Sequence, residues 1–361
     1  MNSRLSPLDN AVPVAFASFG EANPEHIFYV IYREGNGAGF FSNVFHVLGH
    51  LMLAEKLGIT PVVDMKHFPT VYNEREPIND TFNAWEYYFT QPAGFSLDDV
   101  YRSRHVAFCD GKSHWHVYYD NALAISLAQR FLRVLAPIRE EVEGFYKEFF
   151  LGKTVLGVHF RGQEMKVAPD HPACPTVEQM LTRTRILLAA YPIDAIFLVT
   201  EEQAYLDAYR AAFGDMVLHT AAFRTYDVNA YRIRPYPRPL HMYDLGLDVL
   251  KDTLLLARTD YLLAGGNDGL AIGSNVSRMA QVWNAGAYRH IELIWNGVNP
   301  SATTEGFTSA VDDLCAMKAL RAQAHAAEEK AERYRAEADA LRASTSWRIT
   351  GPVRGIRRLL G

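Results

Sequence analysis

Short apolar runs rich in β-branched and aromatic residues alternate along this chain with amphipathic helical stretches, and the alternation occurs twice. HIFYVIY (26–32) reads as a buried strand and is followed by Gly35, Gly37 and Gly39. A helix is predicted over 42–57, where Val44, Val47, Leu48, Leu51 and Ala54 share one face; Gly58 ends it, and ITPVVD (59–64) is the next strand. An aromatic, turn-rich stretch (66–118) and a long predicted helix (121–150) lead to a second series that begins with TVLGVHF (154–160). Predicted helices near 176–190, 202–213 and 245–258 then alternate with strands at 195–200, 216–219 and 261–264, and another helix starts near Ser274. Such alternation builds parallel sheets covered on both faces, so the expectation is two doubly wound, Rossmann-like α/β domains. Their predicted limits are 1–145 and 146–305, and 361 residues suffice for two cores.

Beyond these limits the pattern changes. Met317, Leu320, Ala324, Ala327, Ala331, Tyr334, Ala338 and Leu341 recur at spacings of three and four with charged residues between, which predicts a coiled-coil helix over 308–345 and allows a homo-oligomer. The last stretch, 346–361, carries Arg348, Arg354, Arg357 and Arg358 without an acid and interleaves Trp347, Ile349 and Leu359; it suits peripheral contact with an anionic membrane face. Elsewhere the composition is that of a soluble body, with 49% hydrophobic and 21% charged residues. A net charge of −5 argues against nucleic acid as a partner. Cys109, Cys174 and Cys315 are odd in number and far apart, and Pro13 and Glu21 spoil a secretory leader, so a cytoplasmic location is expected.

The chemistry concentrates where strands end. HFRGQEMK (159–166) follows the strand 154–160 directly, and ligands of parallel sheets bind at the carboxyl ends of strands. Arg161 there can clamp a diphosphate bidentately with a charge that does not titrate away. Glycosyl transfer from a nucleotide sugar expels a diphosphate, and a fixed cation stabilises the charge that develops on it. Further along, Asp252 lies on a predicted helix, while Ser274, Asn275 and Ser277 begin the next one, where free backbone N–H groups favour phosphate. Capping by Ser274 is compatible with that use.

Taken together, these segments resemble the fucosyltransferase superfamily, which includes the α-1,6-fucosyltransferases, the rhizobial nodulation enzymes and the protein O-fucosyltransferases. HFR (159–161) is similar to the motif whose arginine contacts the donor diphosphate, and LVTEE (198–202) to a strand ending in Ala-Thr-Asp-Asp. The acid–strand–turn series from Asp252 to Ser277 resembles a third motif, and GNGAGFFSN (35–43), with Gly35, Asn36, Gly37, Gly39 and Asn43, the amino-terminal glycine loop. The resemblance implies a GT-B fold, two domains facing a cleft, and inverting, metal-independent transfer of fucose from GDP-fucose to a glycan acceptor, in surface polysaccharide or related synthesis. It implies donor contacts from His159, Arg161, Thr200, Glu201, Glu202, Asp252, Ser274, Asn275 and Ser277, with the first domain on the acceptor side. No Asp-x-Asp pair occurs in the chain, so the metal motif of most GT-A enzymes is absent and neither metal nor other cofactor is expected. The sequence departs from the α-1,6 pattern in having Arg161-Gly162 for two arginines and Glu201-Glu202 for two aspartates.

An inverting transfer needs a base for the acceptor hydroxyl. Glu164 and Asp170 are the two candidates, Asp170 because it precedes His171-Pro172 as in the α-1,6 family. His114, His116, Tyr231 and His241 are acceptor-lining candidates, the last two in the aromatic loop 223–241. Two other readings stay open: a non-catalytic coiled-coil scaffold of a membrane-side complex, and a dinucleotide- or S-adenosylmethionine-dependent Rossmann enzyme using the glycine loop and Asp64.

Overall fold

The computed structural model describes residues 15–35, 37–112, 117, 120–162, 166, 171–226, 235–266 and 274–299. The chain divides into a compact unit, Met1–Asn299, and a second unit, Pro300–Gly361, that lies wholly outside the described residues, as do the predicted coiled coil and basic tail.

The first unit is a mixed α/β fold with two largely parallel sheets. The first sheet has the order β1-β4-β2-β3, formed by β1 (Ala15–Ala17), β2 (Phe28–Ile31), β3 (Thr60–Val63) and β4 (Val106–Phe108). β2 runs parallel to both β3 and β4, and only β1 is antiparallel. The second sheet has the order β7-β6-β5-β8-β9, from β5 (Val155–His159), β6 (Ala195–Val199), β7 (Val217–Leu218), β8 (Tyr261–Gly265) and β9 (His290–Ile294). All of its pairings are parallel. β5 and β6 are buried along their whole length, which explains their unbroken apolar sequences.

Helix α1 (Phe40–Leu57) links β2 to β3 and ends where Gly58 takes the left-handed conformation, φ 66°. α2 (Leu97–Val100) opens with a capping box in which Ser96 accepts from the amide of Asp99. The single helix expected over 121–150 is instead α3 (Asn121–Phe131), α4 (Ala136–Phe145) and a wider turn at Tyr146–Phe150. Pro137 explains the break, since it has no N–H to bond the carbonyl four residues back and its ring would clash with that carbonyl of Arg133 in a continuous helix. α5 (Val177–Ala190), α6 (Gln203–Phe213), α7 (His241–Leu256) and α8 (Asn275–Asn284) follow near their expected places, α7 starting four residues earlier than 245.

α1 and α3 pack on α8, so one apolar cluster joins Ile31 and Val63 of the first sheet to Val155, Phe197 and Leu262 of the second. Gly246 of α7 lies so close to the Tyr88 hydroxyl that a Cβ there would overlap it, and that hydroxyl donates to the Tyr243 carbonyl at 2.9 Å. No helix among the described residues is long and apolar enough to cross a membrane.

Candidate functional site at the carboxyl ends of the strands

In the second sheet the chain order reverses between β5 and β8, which are neighbours in register from Leu156↔Tyr261 to His159↔Ala264. Segments leaving these two carboxyl ends therefore diverge and open a crevice, the usual ligand site of a doubly wound sheet. Arg161 leaves β5 there, and the connection from β8 reaches Ser274 and the N-terminus of α8.

Around Arg161 the groups are closely coupled. His159, the last residue of β5, is completely buried; desolvation first, and then the Arg161 charge, push its imidazole down to about 3, so it is neutral near pH 7. Its Nδ1 has no hydrogen-bond partner among the described residues. The amide of Gly162 donates to Glu201 Oε1 at 3.3 Å, and Glu202 accepts from Lys166 Nζ at 2.6 Å. That ammonium also sits 4.9 Å from the centre of the Tyr205 ring, itself stacked on Phe160 at 3.6 Å. A Cβ on Gly162 would overlap the Glu202 carboxylate, which accounts for glycine where the α-1,6 pattern has a second arginine. Thr200 is buried, and its hydroxyl accepts from the Glu202 amide at 3.2 Å. The half-buried Cys174 feels the charges of Arg161, Glu201, Lys166 and Glu202, so all five share one neighbourhood.

Asp252 is buried on α7 and accepts from the Thr220 hydroxyl at 2.5 Å. Burial raises its carboxyl to about 6, against the opposing pull of Arg224 and Thr220. Arg224 donates through Nη1 to the carbonyls of Thr220 and Ala222, at 3.0 and 2.9 Å. Its Nε and Nη2 are buried with no partner among the described residues, and burial lowers its pKa. Asp248 completes the cluster, accepting from the Phe223 amide and from Arg238 at 3.0 and 2.8 Å. Arg224 and Arg238 lie in the aromatic loop 223–241 that the sequence offers as an acceptor wall, whereas Thr220 and Asp248 carry no sequence signal of their own.

Ser274 caps α8, its hydroxyl accepting from the Val276 amide at 3.3 Å, and Ser277 donates to the Ser274 carbonyl at 3.0 Å. Asn275, half-buried, is the first residue of that helix. In the glycine loop, Gly35 has φ 78° and Gly39 precedes α1; Gly37 and Gly39 have open space where a side chain would stand. Asn43 is buried and braces the loop from inside, donating to the Ala38 carbonyl and accepting from Arg33. His241 is buried at the start of α7 between Phe223 and Tyr236. Asn36, Glu164, Asp170, His114, His116 and Tyr231 lie outside the described residues.

One group of metal-ligand type occurs among the described residues: His46, His50 and Cys109, all buried, with donor atoms within 4.8 Å of one another. These atoms already serve the backbone. His46 Nε2 bonds the Tyr32 carbonyl at 2.7 Å, His50 Nε2 that of Lys112 at 2.9 Å, and the Cys109 thiol donates to Tyr32 at 3.1 Å. Burial pushes that thiol up to about 11, away from the thiolate a metal would need. The trio fits a structural network better than a cation site. A groove of about 720 Å³ between α4, α7 and α8, with Arg139, Lys147, Arg258 and Trp283 in its walls, contains none of the residues expected to act.

No family model and no curated protein matches the chain. Among solved structures it is similar to NodZ alpha-1,6-fucosyltransferase co-crystallized with GDP, at 17% identity over 71% of this chain and 92% of that one, TM-score 0.49. The fucosyltransferase NodZ from Bradyrhizobium gives 18% identity, 71% and 93% coverage and a TM-score of 0.49. POFUT1 in its apo form gives 14%, 76% and 99%, with a TM-score of 0.43.

Proposed function

We propose that this chain is an inverting, metal-independent glycosyltransferase of GT-B architecture, with halves at 1–145 and 146–305, that moves fucose from GDP-fucose to a glycan hydroxyl in surface polysaccharide or related synthesis. The observation that carries the reading is Arg161 at the switch point between β5 and β8, on the carboxyl side of a fully parallel sheet. A guanidinium there, together with the Ser274-capped N-terminus of α8, supplies fixed positive potential to a departing diphosphate. These groups do for the leaving group what a divalent cation does in metal-dependent transferases. His159 stays neutral and so adds no charge that would vary with pH near neutrality.

Asp252, Thr220 and Arg224 form the buried polar end of the same crevice, suited to the nucleotide base and ribose. Glu201 and Glu202 hold the backbone and Lys166 beside Arg161. Fucose in particular is supported by the motif resemblance. The tail at 346–361 and the heptads at 308–345 support a cytoplasmic protein that associates through its C-terminal region and touches a membrane face.

A panel of nucleotide sugars, scored for hydrolysis and transfer, tests the reading. GDP-fucose should be turned over, and Arg161→Ala should lower kcat/KM by about a thousandfold. Absence of turnover with every donor, together with GDP affinity unaltered by Arg161→Ala, would overturn it.

A further inference from the structure

The carboxyl end of the first sheet carries an acid–imidazole pair that the donor site does not use. Asp64 follows β3 directly and its side chain is 0% exposed, whereas the His67 side chain three residues on is 47% exposed. Asp64 Oδ1 accepts from the backbone N–H groups of Lys66 and His67 at 3.0 and 2.9 Å. Those bonds alone make an ordinary turn. Oδ2 has a different task, accepting from the Tyr101 hydroxyl at 2.5 Å and facing His67 Nδ1 at 2.8 Å.

Two consequences follow from chemistry. Nδ1 faces a carboxylate, so it carries the proton, and the lone pair of neutral His67 is on Nε2, the far side of the ring. Tyr101 packs edge-on against the imidazole at 4.8 Å and fixes its plane. The titratable groups facing the ring are thus the Asp64 carboxylate and the Tyr101 phenol, with Lys66 an exposed chain neighbour. Beside it stand aromatic rings, the half-buried Phe68 stacked on Tyr32 at 4.1 Å and the exposed Phe19 against Tyr101 at 5.0 Å. Such flat apolar surfaces suit the face of a pyranose.

The pair also opens the connection that reaches the donor half. Ten residues after Asp64, Glu74 accepts from the backbone N–H groups of Met242 and Tyr243 at 2.8 and 2.9 Å, at the start of the helix that carries Asp252. Val71, between them, packs with Met242 and Leu245 beside Phe223.

We infer that His67 is the general base of the transfer, taking the proton of a glycan hydroxyl on Nε2, with Asp64 as its positioning residue; this rests on the glycosyltransferase reading. The acceptor oxygen bonds to the anomeric carbon as its proton passes to Nε2. The bond from that carbon to the phosphate oxygen breaks, and its electron pair leaves with the diphosphate. The imidazolium is held by Asp64 until it releases the proton to water. His67 thereby takes the role that the sequence offered to Glu164 or Asp170.

The test uses the full chain with GDP-fucose, water and a panel of oligosaccharides as acceptors. His67→Gln should lower kcat by about 10²- to 10⁴-fold, abolish the acid limb of the pH profile and leave GDP affinity unchanged. Added imidazole should restore part of the rate to His67→Gly, and Asp64→Asn should lower kcat more than it raises KM. Nitrogen-15 spectra of the resting protein should show His67 with its proton on Nδ1. Wild-type kcat and acid limb in His67→Gln, or a proton resident on Nε2, would overturn this inference and leave the donor site standing. A wild-type protein that neither binds GDP nor consumes any nucleotide sugar would remove both.

Discussion

The two sheets end in opposite ways. At the carboxyl end of the first, buried polar atoms are used up within the protein: Asp64 accepts four hydrogen bonds, and Asn83 bridges the Met65 amide and the Val63 carbonyl at 2.9 and 2.8 Å. His46, His50 and Cys109 serve the backbone in the same way. At the carboxyl end of the second sheet, desolvation holds His159 neutral and raises Asp252, and Arg224 keeps two buried nitrogens without a partner among the described residues. An unmet buried polar atom costs about 1–3 kcal/mol, and Arg224 holds two of them at this end. Folding satisfies the buried acceptors at the first end, leaving the exposed far side of His67 open, whereas at the second end Arg224 keeps buried donors without partners among the described residues.

Substitutions can break this contrast. The largest expected effect is Arg161→Ala, which removes the fixed cation and should lower kcat/KM for GDP-fucose by about 10³, or about 4 kcal/mol, with little change in folding stability. Steady-state kinetics beside a urea titration checks both halves of that statement. Asp252 comes next. Its folded-state pKa of about 6 lies above the ordinary 3.8, so the folded protein holds an extra proton between those values. Stability is therefore lost as pH rises from about 4 to 6, by about 3 kcal/mol from this group, and Asp252→Asn should flatten that slope in denaturation measured across the window. His159, depressed below 6.5, works in the opposite sense, its contribution present above that value and fading as pH falls towards 3.

In the first sheet the expectation reverses. His50→Leu strands the Tyr29 hydroxyl, 2.9 Å from the imidazole, and the Lys112 carbonyl; it should cost about 2–3 kcal/mol of stability while GDP affinity in the folded fraction stays the same. Smallest is Gly162→Ala, whose methyl must displace the Glu202 carboxylate from Lys166; about 1–2 kcal/mol, seen in kcat/KM more than in denaturation, is expected.

Much of the fold was legible because buried parallel strands write continuous apolar sequence: residues 28–31, 60–63, 155–159 and 195–199 all fell within expected runs. β1, β4 and β9 were not, since β1 and β4 are three residues long and β9 is a half-exposed edge strand with Glu292 inside it. The end of the strand 154–160 advertised His159 and Arg161, and the helix before the strand 261–264 advertised Asp252, because their place in the alternation is local information. The Asp64–His67 spacing is local, but Tyr101, which holds the pair, and Asp252, whose charge faces Arg224, are distant in the chain. Tyr101 reaches Asp64 across 37 residues and Thr220 reaches Asp252 across 32, and no spacing rule encodes such meetings.

The position of a bound nucleoside diphosphate decides whether Arg161 serves the donor. A crystal structure with GDP is predicted to place its β-phosphate within about 3 Å of the Arg161 guanidinium, between the ends of β5 and β8. GDP bound elsewhere, with Arg161 and the start of α8 untouched, would contradict it.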